Sequence, residues 1–329
     1  MASASEEPID EFERIRLFFA PLAALGGLGL LDDAALVDCR AGRQLVITAD
    51  AIVEGVHYLP DDPPDTVARK LLRVNLSDLA AMGARPLYYL LTTALPATRK
   101  ADWVAAFARG LNEDQQRFEV SLLGGDSVAS SGPAALSLTA IGEVALGMAV
   151  RRSGAVAGDQ IWVSGTIGDA CLGLDVLRGA HSYLAAEHRA ALASRFRVPE
   201  PRVELGPRLV GLAHAMIDIS DGLLADLGHI CETSHVAAHI ELNALPLSAA
   251  ARAIMDREPD LRASLAAGGD DYELLFTAAP SASNAIEQLS AELHLPITPV
   301  GLIEPGEGVR LLDAGGLVIP VAESGYRHF

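Results

Sequence analysis

The stretch "AMIDISDGLLADLGHICE" (residues 215–232) joins a short apolar segment to an amphipathic one through an acidic turn. Its first residues predict a buried strand, and the apolar positions after Gly222 recur at helical spacing. Asp218 and Asp221 flank Ser220 at the turn. Because two close carboxylates repel each other and are costly to desolvate, such a pair indicates exposure to solvent, a capped helix or a bound cation.

Strands and helices alternate on both sides of this stretch, which is typical of an α/β or α+β fold. The Gly-punctuated polar segment 148–160 separates two halves, so we expect two domains, residues 1–149 and residues 150–329. The predicted helices include 11–22, 64–82, 102–114 and 222–232. The predicted strands are 44–50, 87–95, 120–126 with a glycine turn at its end, 134–145, 161–166, 215–220, 236–242, 272–278, 297–303 and 309–313.

The chain has 329 residues, with 43 acidic and 25 basic side chains and a formal net charge of −18. This excess repels nucleic acid phosphates and anionic membrane surfaces, so we expect neither as a partner. Lys70 and Lys100 are the only lysines in the sequence. Any phosphate contact must therefore use arginine, backbone amides or metal ions.

The three cysteines, Cys39, Cys171 and Cys231, are far apart and have no C-x-x-C spacing. They predict neither a disulfide framework nor a zinc site, and they fit a reducing compartment. The acidic residues 1–14 differ from a basic secretion signal, and Pro21 interrupts the apolar segment behind them. Since no run reaches the roughly 20 apolar residues of a membrane-spanning helix, we expect a cytoplasmic protein.

Four aspartates share a predicted position at or just after a strand end, beside a glycine or a turn: Asp50, Asp126, Asp218 and Asp270. In α/β sheets this edge is where ligands bind. Aspartate is also common in turns and at helix N-caps, and that ordinary explanation is the stronger one for any single residue. Asp221 and Asp226 both fit acids in the first turn of a helix.

Asp78 is harder to explain in this way, because it lies in the middle of a predicted helix, one turn after Val74 and one turn before Met82. This spacing predicts that its carboxylate points inward. Basic residues are scarce nearby, so a divalent cation becomes the natural counter-charge. Oxygen ligands without paired His or Cys favour Mg²⁺ over zinc, and Mg²⁺ in turn indicates phosphate chemistry.

Motifs of several common phosphate-binding enzymes are missing from the sequence, which excludes or weakens those classes of enzyme. Neither lysine lies in a P-loop, and the lysine and H-R-D loop of protein kinases are missing. A dehalogenase-type phosphatase needs Asp-x-Asp after a strand, and Ser220 stands in place of the second acid, which weakens that alternative without eliminating it. The glycine pairs 124–125 and 268–269 would let backbone approach a phosphate, although turn formation is their default role.

Several motifs, in their order and spacing, resemble those of the thiamine-monophosphate kinases, within the superfamily typified by aminoimidazole ribonucleotide synthetase. They are "DDAAL" (32–36), "VNLSDLAAMGA" (74–84), "GGD" (124–126), "RRSGA" (151–155), "VSGTIGD" (163–169), "DISDGLLADLGHI" (218–230), "GGDDYELLF" (268–276) and "GYRHF" (325–329). The resemblance covers nearly the whole chain. It implies an N-terminal mixed sheet with helices and a C-terminal α/β domain.

The resemblance also implies a function, ATP-dependent phosphorylation of thiamine monophosphate to thiamine diphosphate, which is the last step of that cofactor's biosynthesis. ATP would be the co-substrate, several Mg²⁺ ions would take part, and a homodimer would form through the N-terminal domains. Residues 1–149 would then bind metal and ATP and dimerise, and residues 150–329 would complete the nucleotide and substrate site.

Three groups of site residues follow from the resemblance by position. The metal ligands would be Asp33, Thr48, Asp50, Asp78, Asp126, Asp218 and Asp221. The ATP contacts would be Gly125 at a phosphate-binding turn, Asp126, Arg152 and Ser220. The substrate contacts would be His57, Asp270 and Tyr326. Acids far apart in the sequence would converge on one pocket, although His57, Arg152 and Tyr326 also fit an ordinary loop residue, a solvated surface charge and C-terminal packing.

The sequence departs from the family pattern at three places. Leu30 and Leu31 separate Gly29 from Asp32, where the family usually has glycine directly before its paired aspartates. Ala49 replaces a polar residue before Asp50, and Asp270 stands where many members have the longer glutamate. We therefore expect an altered substrate affinity.

The expected reaction is a direct transfer without a phosphoenzyme and without a catalytic acid or base, because a phosphate monoester is already anionic at neutral pH. The carboxylates would hold metal, and Tyr326 would suit the cationic thiazolium. One alternative is another phosphotransferase of the same architecture, although the selenophosphate synthetase and hydrogenase-maturation relatives need a Cys near one terminus. The other is a non-catalytic, acid-rich ion- or nucleotide-binding protein.

Overall fold

The computed structural model describes residues 11–30, 35, 37–38, 40–321 and 325–326. The chain divides into two compact units, of which the first holds residues 1–75 and 86–143 and the second holds residues 76–85 and 144–329. Helix α1 spans Glu11–Arg14 and is followed by a π-helical turn and two 3₁₀ turns up to Leu30. The segment 11–22 is thus helical, but it is not the single regular helix that we expected, since Pro21 lacks the N–H that a helix interior needs.

Four strands form a mixed sheet in the first unit, in the order β1-β4-β2-β3. The strands are β1 (Arg43–Val53), β2 (Arg85–Pro96), β3 (Ser121–Ser130) and β4 (Ala135–Ala145). Strands β2 and β3 are parallel, and helix α3 (Ala101–Phe118) connects them. Along β4, buried Leu136, Leu138 and Ala140 alternate with partly exposed residues, so one face of the sheet lies against the core.

Helix α2 (Pro64–Ala81) confirms the helix expected between Pro64 and Gly83. Proline suits the first helical turn because that N–H has no partner within the helix, and Asp65 lies favourably in the same turn. The helix ends just before Gly83, whose φ of 69° is the left-handed conformation that glycine adopts without strain.

Six strands form the sheet of the second unit, in the order β10-β7-β9-β5-β8-β6. They are β5 (Gln160–Ser164), β6 (Ala215–Asp218), β7 (Ala237–Glu241), β8 (Leu274–Ala278), β9 (Ile297–Glu304) and β10 (Gly308–Leu312). All neighbouring pairs are antiparallel except β10 and β7. The helices are α4 (Asp169–Leu177), α5 (Ala186–Arg197), α6 (Leu223–Ser234), α7 (Ala249–Met255), α8 (Arg262–Leu265) and α9 (Ser283–Glu292).

Both faces of this sheet are buried. Ile161 and Val163 of β5 pack into one apolar cluster with α6, whereas Trp162 between them packs into another cluster with α9. Strands β5, β6 and β8 are buried along nearly their whole length, which explains their continuous apolar runs in the sequence. The two-domain α/β class is confirmed by these sheets. Among the described residues, no helix is long and apolar enough to cross a membrane.

Candidate active site

The turn between β6 and α6 carries three of the expected site residues. Asp218 is the last residue of β6 and is only 3 % exposed, whereas Ser220 and Asp221 are partly exposed. The carboxylate of Asp226 lies beneath the turn. Its Oδ2 accepts hydrogen bonds from the backbone N–H groups of Ser220 (3.1 Å), Asp221 (3.1 Å) and Gly222 (3.0 Å).

The segment before β8 lies against this turn through backbone hydrogen bonds. The Asp270 N–H donates to Ser220 O and the Tyr272 N–H to Ile219 O, each at 2.8 Å, and the Ile219 N–H donates to Glu273 O at 2.9 Å. A Cβ at Gly269 would lie 2.5 Å from Ser220 O, so only glycine allows so close an approach.

Asp270 and Tyr326 both lie beside the β6–α6 turn. Asp270 has a φ of 70°, a left-handed conformation that aspartate adopts more readily than most residues, and its Oδ1 accepts a hydrogen bond from the Tyr272 hydroxyl at 3.2 Å. The Tyr326 N–H donates to Asp221 O at 2.9 Å, while the residue as a whole is 52 % exposed. The second unit therefore brings together five expected site residues: Asp218, Ser220, Asp221, Asp270 and Tyr326.

Two fully buried acids anchor the 270–273 segment from behind. Asp271 accepts hydrogen bonds from the N–H groups of Gly168 (2.6 Å) and Ala170 (3.2 Å) at the start of α4. Desolvation raises the pKa of Asp271 to about 8, against the lowering effect of these bonds. Glu273 accepts hydrogen bonds from Ser164 Oγ (2.7 Å), Arg195 (2.9 Å) and Arg202.

Arg152 is exposed on a segment that also lies near β6. The preceding Arg151 accepts a hydrogen bond through its carbonyl from the Met216 N–H of β6 at 2.9 Å. Ser234 Oγ donates to Arg152 O at 3.3 Å and accepts from the N–H of Gly154 at 3.1 Å. A nearby cavity of about 210 Å³ is lined by Arg151, Ser153 and His214, among others, but not by Arg152. The side chain of Arg152 is accessible because the residue is exposed.

Strand β1 in the first unit carries Thr48 and Asp50. Thr48 is partly exposed and Asp50 exposed; the Asp50 N–H donates to Asn75 Oδ1 at 3.0 Å, and Asp50 O accepts from Ser137 Oγ at 3.2 Å. Asp126 is exposed on β3, which β4 and β2 separate from β1 in the sheet order. The sheet order alone therefore does not make these acids neighbours.

The glycine pair 124–125 lies inside β3, so the expected glycine turn at this point was wrong. The ladder with β2 shifts register between Tyr89 and Leu90, and a Cβ at Gly125 would lie 1.7 Å from Leu91 O. The glycines thus permit close pairing of two strands. They line a cavity of about 540 Å³ in the first unit, whose other walls are mostly aliphatic. Asp50 likewise lies within its strand, and of the four acids expected at strand ends only Asp218 ends one.

His57 lies in the loop after β1 and is held in one orientation. Its Nδ1 accepts the Val53 N–H at 3.0 Å, so in the neutral ring the proton is on Nε2. Its carbonyl accepts a hydrogen bond from Nζ of the buried Lys70 at 2.9 Å.

Asp78 is half-buried in α2, whereas all the other residues from Lys70 to Ala81 are buried. The helix is buried on every side there and Asp78 is partly accessible, so the expectation that its carboxylate points inward stays a prediction. Asp33 lies outside the described residues. Within the described part of the chain, no three His, Cys, Asp or Glu side chains form a group that could hold a metal ion.

Sequence reasoning missed three acids that shape this site. Asp226 was explained as an ordinary helix acid, and the structure shows its carboxylate accepting three amides of the turn. Asp271 and Glu273 were not singled out, although they lie in the "GGDDYE" motif. The density of acids in that motif was the available signal, but it does not reveal which of them point away from solvent.

Comparison with known proteins identifies the family. The models for the N-terminal and C-terminal domains of AIR synthase related protein match residues 31–144 and 156–313. The thiamine-monophosphate kinase of Caulobacter vibrioides is 42 % identical over 324 residues, which cover 97 % of this chain and 91 % of that protein. The chain belongs to the thiamine-monophosphate kinase family.

Solved structures of thiamine-monophosphate kinases share the whole fold. The crystal structure of the enzyme from Stenotrophomonas maltophilia K279a is 43 % identical, has a TM-score of 0.81, and is aligned over 93 % of this chain and 96 % of its own. The structure of AaThiL complexed with AMPPCP and TMP is 31 % identical, has a TM-score of 0.79, and is aligned over 98 % and 97 %. The family resemblance inferred from the motifs is thereby confirmed.

Proposed function

We propose that this protein transfers a phosphoryl group from ATP to thiamine monophosphate, forming thiamine diphosphate. The observation that carries the proposal is the meeting of Asp218, Ser220, Asp221, Asp270 and Tyr326 at one turn of the second unit. The chain also aligns over nearly its full length with AaThiL, whose structure is complexed with AMPPCP and TMP. A kinase that phosphorylates TMP must bind ATP and TMP together, and AaThiL binds AMPPCP and TMP in one complex.

The acceptor in this reaction needs no general base. The second pKa of a phosphate monoester is about 6, so its oxygen is anionic at neutral pH. The obstacle is repulsion between two polyanions, since two unit charges about 4 Å apart repel by roughly 4 kcal/mol at an effective dielectric of about 20. The protein must therefore neutralise charge and align the phosphates for direct in-line transfer, and no residue need form a phosphoenzyme.

The donor set expected at the site fits Mg²⁺, because it consists of carboxylate and hydroxyl oxygens without His or Cys. The ligands that we propose from the family resemblance are Asp33, Thr48, Asp50, Asp78, Asp126, Asp218 and Asp221. When bound, Mg²⁺ would supply positive charge to the phosphate oxygens.

The remaining site residues would bind and orient the two substrates. For ATP we propose Gly125 and Asp126 on β3, the exposed guanidinium of Arg152, and Ser220. For thiamine monophosphate we propose His57, Asp270 and Tyr326. The thiazolium of the substrate is cationic, so a carboxylate and an aromatic ring near the same turn suit it electrostatically.

We also propose a homodimer and a cytoplasmic location. The sheet of the first unit has exposed apolar side chains, including Ile47, Leu90 and Val128, which a second copy would cover. Cys171 and Cys231 are free thiols, as in proteins of reducing compartments.

The test is to incubate the protein with ATP, Mg²⁺ and thiamine monophosphate and to follow thiamine diphosphate and ADP by chromatography. Asp218→Asn should abolish turnover with the fold retained, and Asp260→Asn, an exposed acid of the same unit, should leave turnover unchanged. Nucleotide binding without thiamine diphosphate would instead favour a non-catalytic nucleotide-binding protein. Radioactive phosphate retained on the denatured protein would contradict direct transfer.

A further inference from the structure

The turn between β6 and α6 is built around one carboxylate oxygen. Oδ2 of Asp226 accepts three hydrogen bonds from consecutive backbone N–H groups, those of Ser220, Asp221 and Gly222. Asp226 is 2 % exposed, and it lies in the first turn of α6, which begins at Leu223. The carboxylate thus reaches back past the start of its own helix to the residues that precede it.

Consecutive N–H groups that converge on one point make a concave anion-binding site, because their partial positive charges add there. Such amides at a helix N-terminus commonly hold a phosphate. Here an internal carboxylate occupies them, so residues 220–222 do not offer their amides to an external anion. Only the side chains of Ser220 and Asp221 project from this turn as polar groups.

The turn cannot adopt this conformation by local preference alone. Gly222 has a φ of 129°, and a Cβ there would lie 2.6 Å from Ala267 O. Ser220 O and Asp221 O are already engaged, by the N–H groups of Asp270 and Tyr326. Asp226 accepts the N–H groups of the same turn, so removing it would leave three amides without this acceptor, and the amide of Gly222 is buried.

We propose that Asp226 is a positioning residue, which holds the Ser220 and Asp221 side chains in one orientation and confines the nucleotide contact at Ser220 to its hydroxyl. This inference rests on the proposed function. It extends that function by assigning the contact with ATP to the hydroxyl of Ser220, because the backbone N–H of Ser220 is already bonded to Asp226.

The experiment compares Asp226→Ala and Asp226→Asn with Asp169→Ala. Asp169 is an equally buried acid in the first turn of α4, and it accepts the hydroxyls of Thr166 and Ser248, each at 2.6 Å, which belong to no proposed site. All three variants are assayed for kcat, for KM of ATP and of thiamine monophosphate, and for thermal unfolding, with the assays run well below the lowest unfolding temperature.

Asp226→Ala should lower kcat/KM for ATP by about 100-fold, the scale of a small misplacement of reacting groups. Asp226→Asn should recover much of this loss, because its amide oxygen accepts the same N–H groups. Asp169→Ala should lower the unfolding temperature and leave kcat/KM near that of the original protein. An Asp226→Ala variant with unchanged kcat/KM, or an Asp169→Ala variant with an equal loss, would overturn the proposal.

Ser220→Ala tests the second half of the inference. If contact with ATP uses the hydroxyl, the KM for ATP rises by about tenfold with the turn intact, the loss typical of one hydrogen bond to a charged group. An unchanged KM would mean that the backbone or another group makes the contact, and it would overturn this half.

Hydrogen exchange distinguishes failure of this inference from failure of the proposed function. Asp226→Ala should speed amide exchange in the peptide covering residues 219–223, while Asp169→Ala should not, and neither result depends on which substrate the protein uses. If the original protein makes no thiamine diphosphate but the exchange pattern holds, the proposed function is wrong and the positioning of the turn stands. Unchanged exchange in Asp226→Ala would refute the positioning role itself.

Discussion

At the scale of single residues, the segment 270–273 beside the β6–α6 turn depends on a buried acidic side chain. Glu273 is fully buried and accepts hydrogen bonds from Ser164, Arg195 and Arg202. Its backbone carbonyl holds Ile219, next to the acidic turn. A charge buried in this way is tolerated only because its partners surround it.

Replacing Glu273 by Gln should therefore destabilise the protein by about 3–5 kcal/mol, because two arginines would lose their counter-charge. Urea unfolding monitored by circular dichroism measures the change. Glu292→Gln is the control, since Glu292 pairs with Arg208 at the surface and its loss should leave the unfolding midpoint nearly unchanged. Equal effects of the two substitutions would contradict the role given to Glu273.

Asp271 links stability to pH. Desolvation raises its pKa in the folded state to about 8, while the ordinary value is 3.8. Between these values the folded state binds more protons than the unfolded state, so stability falls as pH rises from about 4 to about 8. Asp271→Asn removes this titration. The unfolding free energy of the original protein should decline more between pH 5 and pH 8 than that of the variant, and parallel pH profiles would show that Asp271 is ionised in the folded protein throughout.

At the scale of elements, glycines decide how closely helices and strands approach. Gly173 lies in α4, where a Cβ would be 2.1 Å from Leu192 O of α5. Gly228 lies in α6, where a Cβ would meet no described atom within 4 Å outside its own helix backbone. The first glycine is required by helix packing, whereas the second only weakens its helix.

These two positions give opposite expectations for the same substitution. Gly173→Ala should destabilise the protein by about 1–3 kcal/mol through overpacking of α4 against α5. Gly228→Ala should stabilise it by up to about 1 kcal/mol, because alanine favours the helix and meets no neighbour. Differential scanning calorimetry of both variants checks this, and a gain from Gly173→Ala would show that the two helices can separate at little cost.

At the scale of the whole molecule, the formal charge of −18 and the exposed apolar side chains of the first sheet have opposite effects on the association of two copies. The charge disfavours association, whereas burial of apolar surface favours it. The proposed homodimer requires that the apolar contribution is larger at this sheet.

Sedimentation equilibrium should accordingly give twice the monomer mass. The double variant Ile47→Glu with Val128→Glu should sediment as a monomer, because both side chains are exposed on the first sheet. Leu317→Glu is the matched control: Leu317 is 70 % exposed in the second unit, and its change should leave the dimer intact. If the original protein sediments as a monomer, the proposed homodimer is wrong.

Much of the architecture was predictable because it depends on local pattern. The apolar run before Asp218 and the helical periodicity after Gly222 define β6 and α6 wherever they lie in the fold. The family could also be recognised from the order and spacing of motifs. By contrast, the expected turn at Gly124–Gly125 was wrong, because pairing with β2 extends β3 through both glycines.

The order of strands and helices, the excess of acidic charge and the family can all be read from the residues in their order, since each is a property of neighbouring residues or of composition. Three other features become visible only in the folded chain: Asp226 holds the turn, Asp271 and Glu273 are buried, and Tyr326 lies beside Asp221. The physical reason is that aspartates share one chemistry. What distinguishes them is which donors surround each carboxylate, and those donors come from segments far apart along the chain.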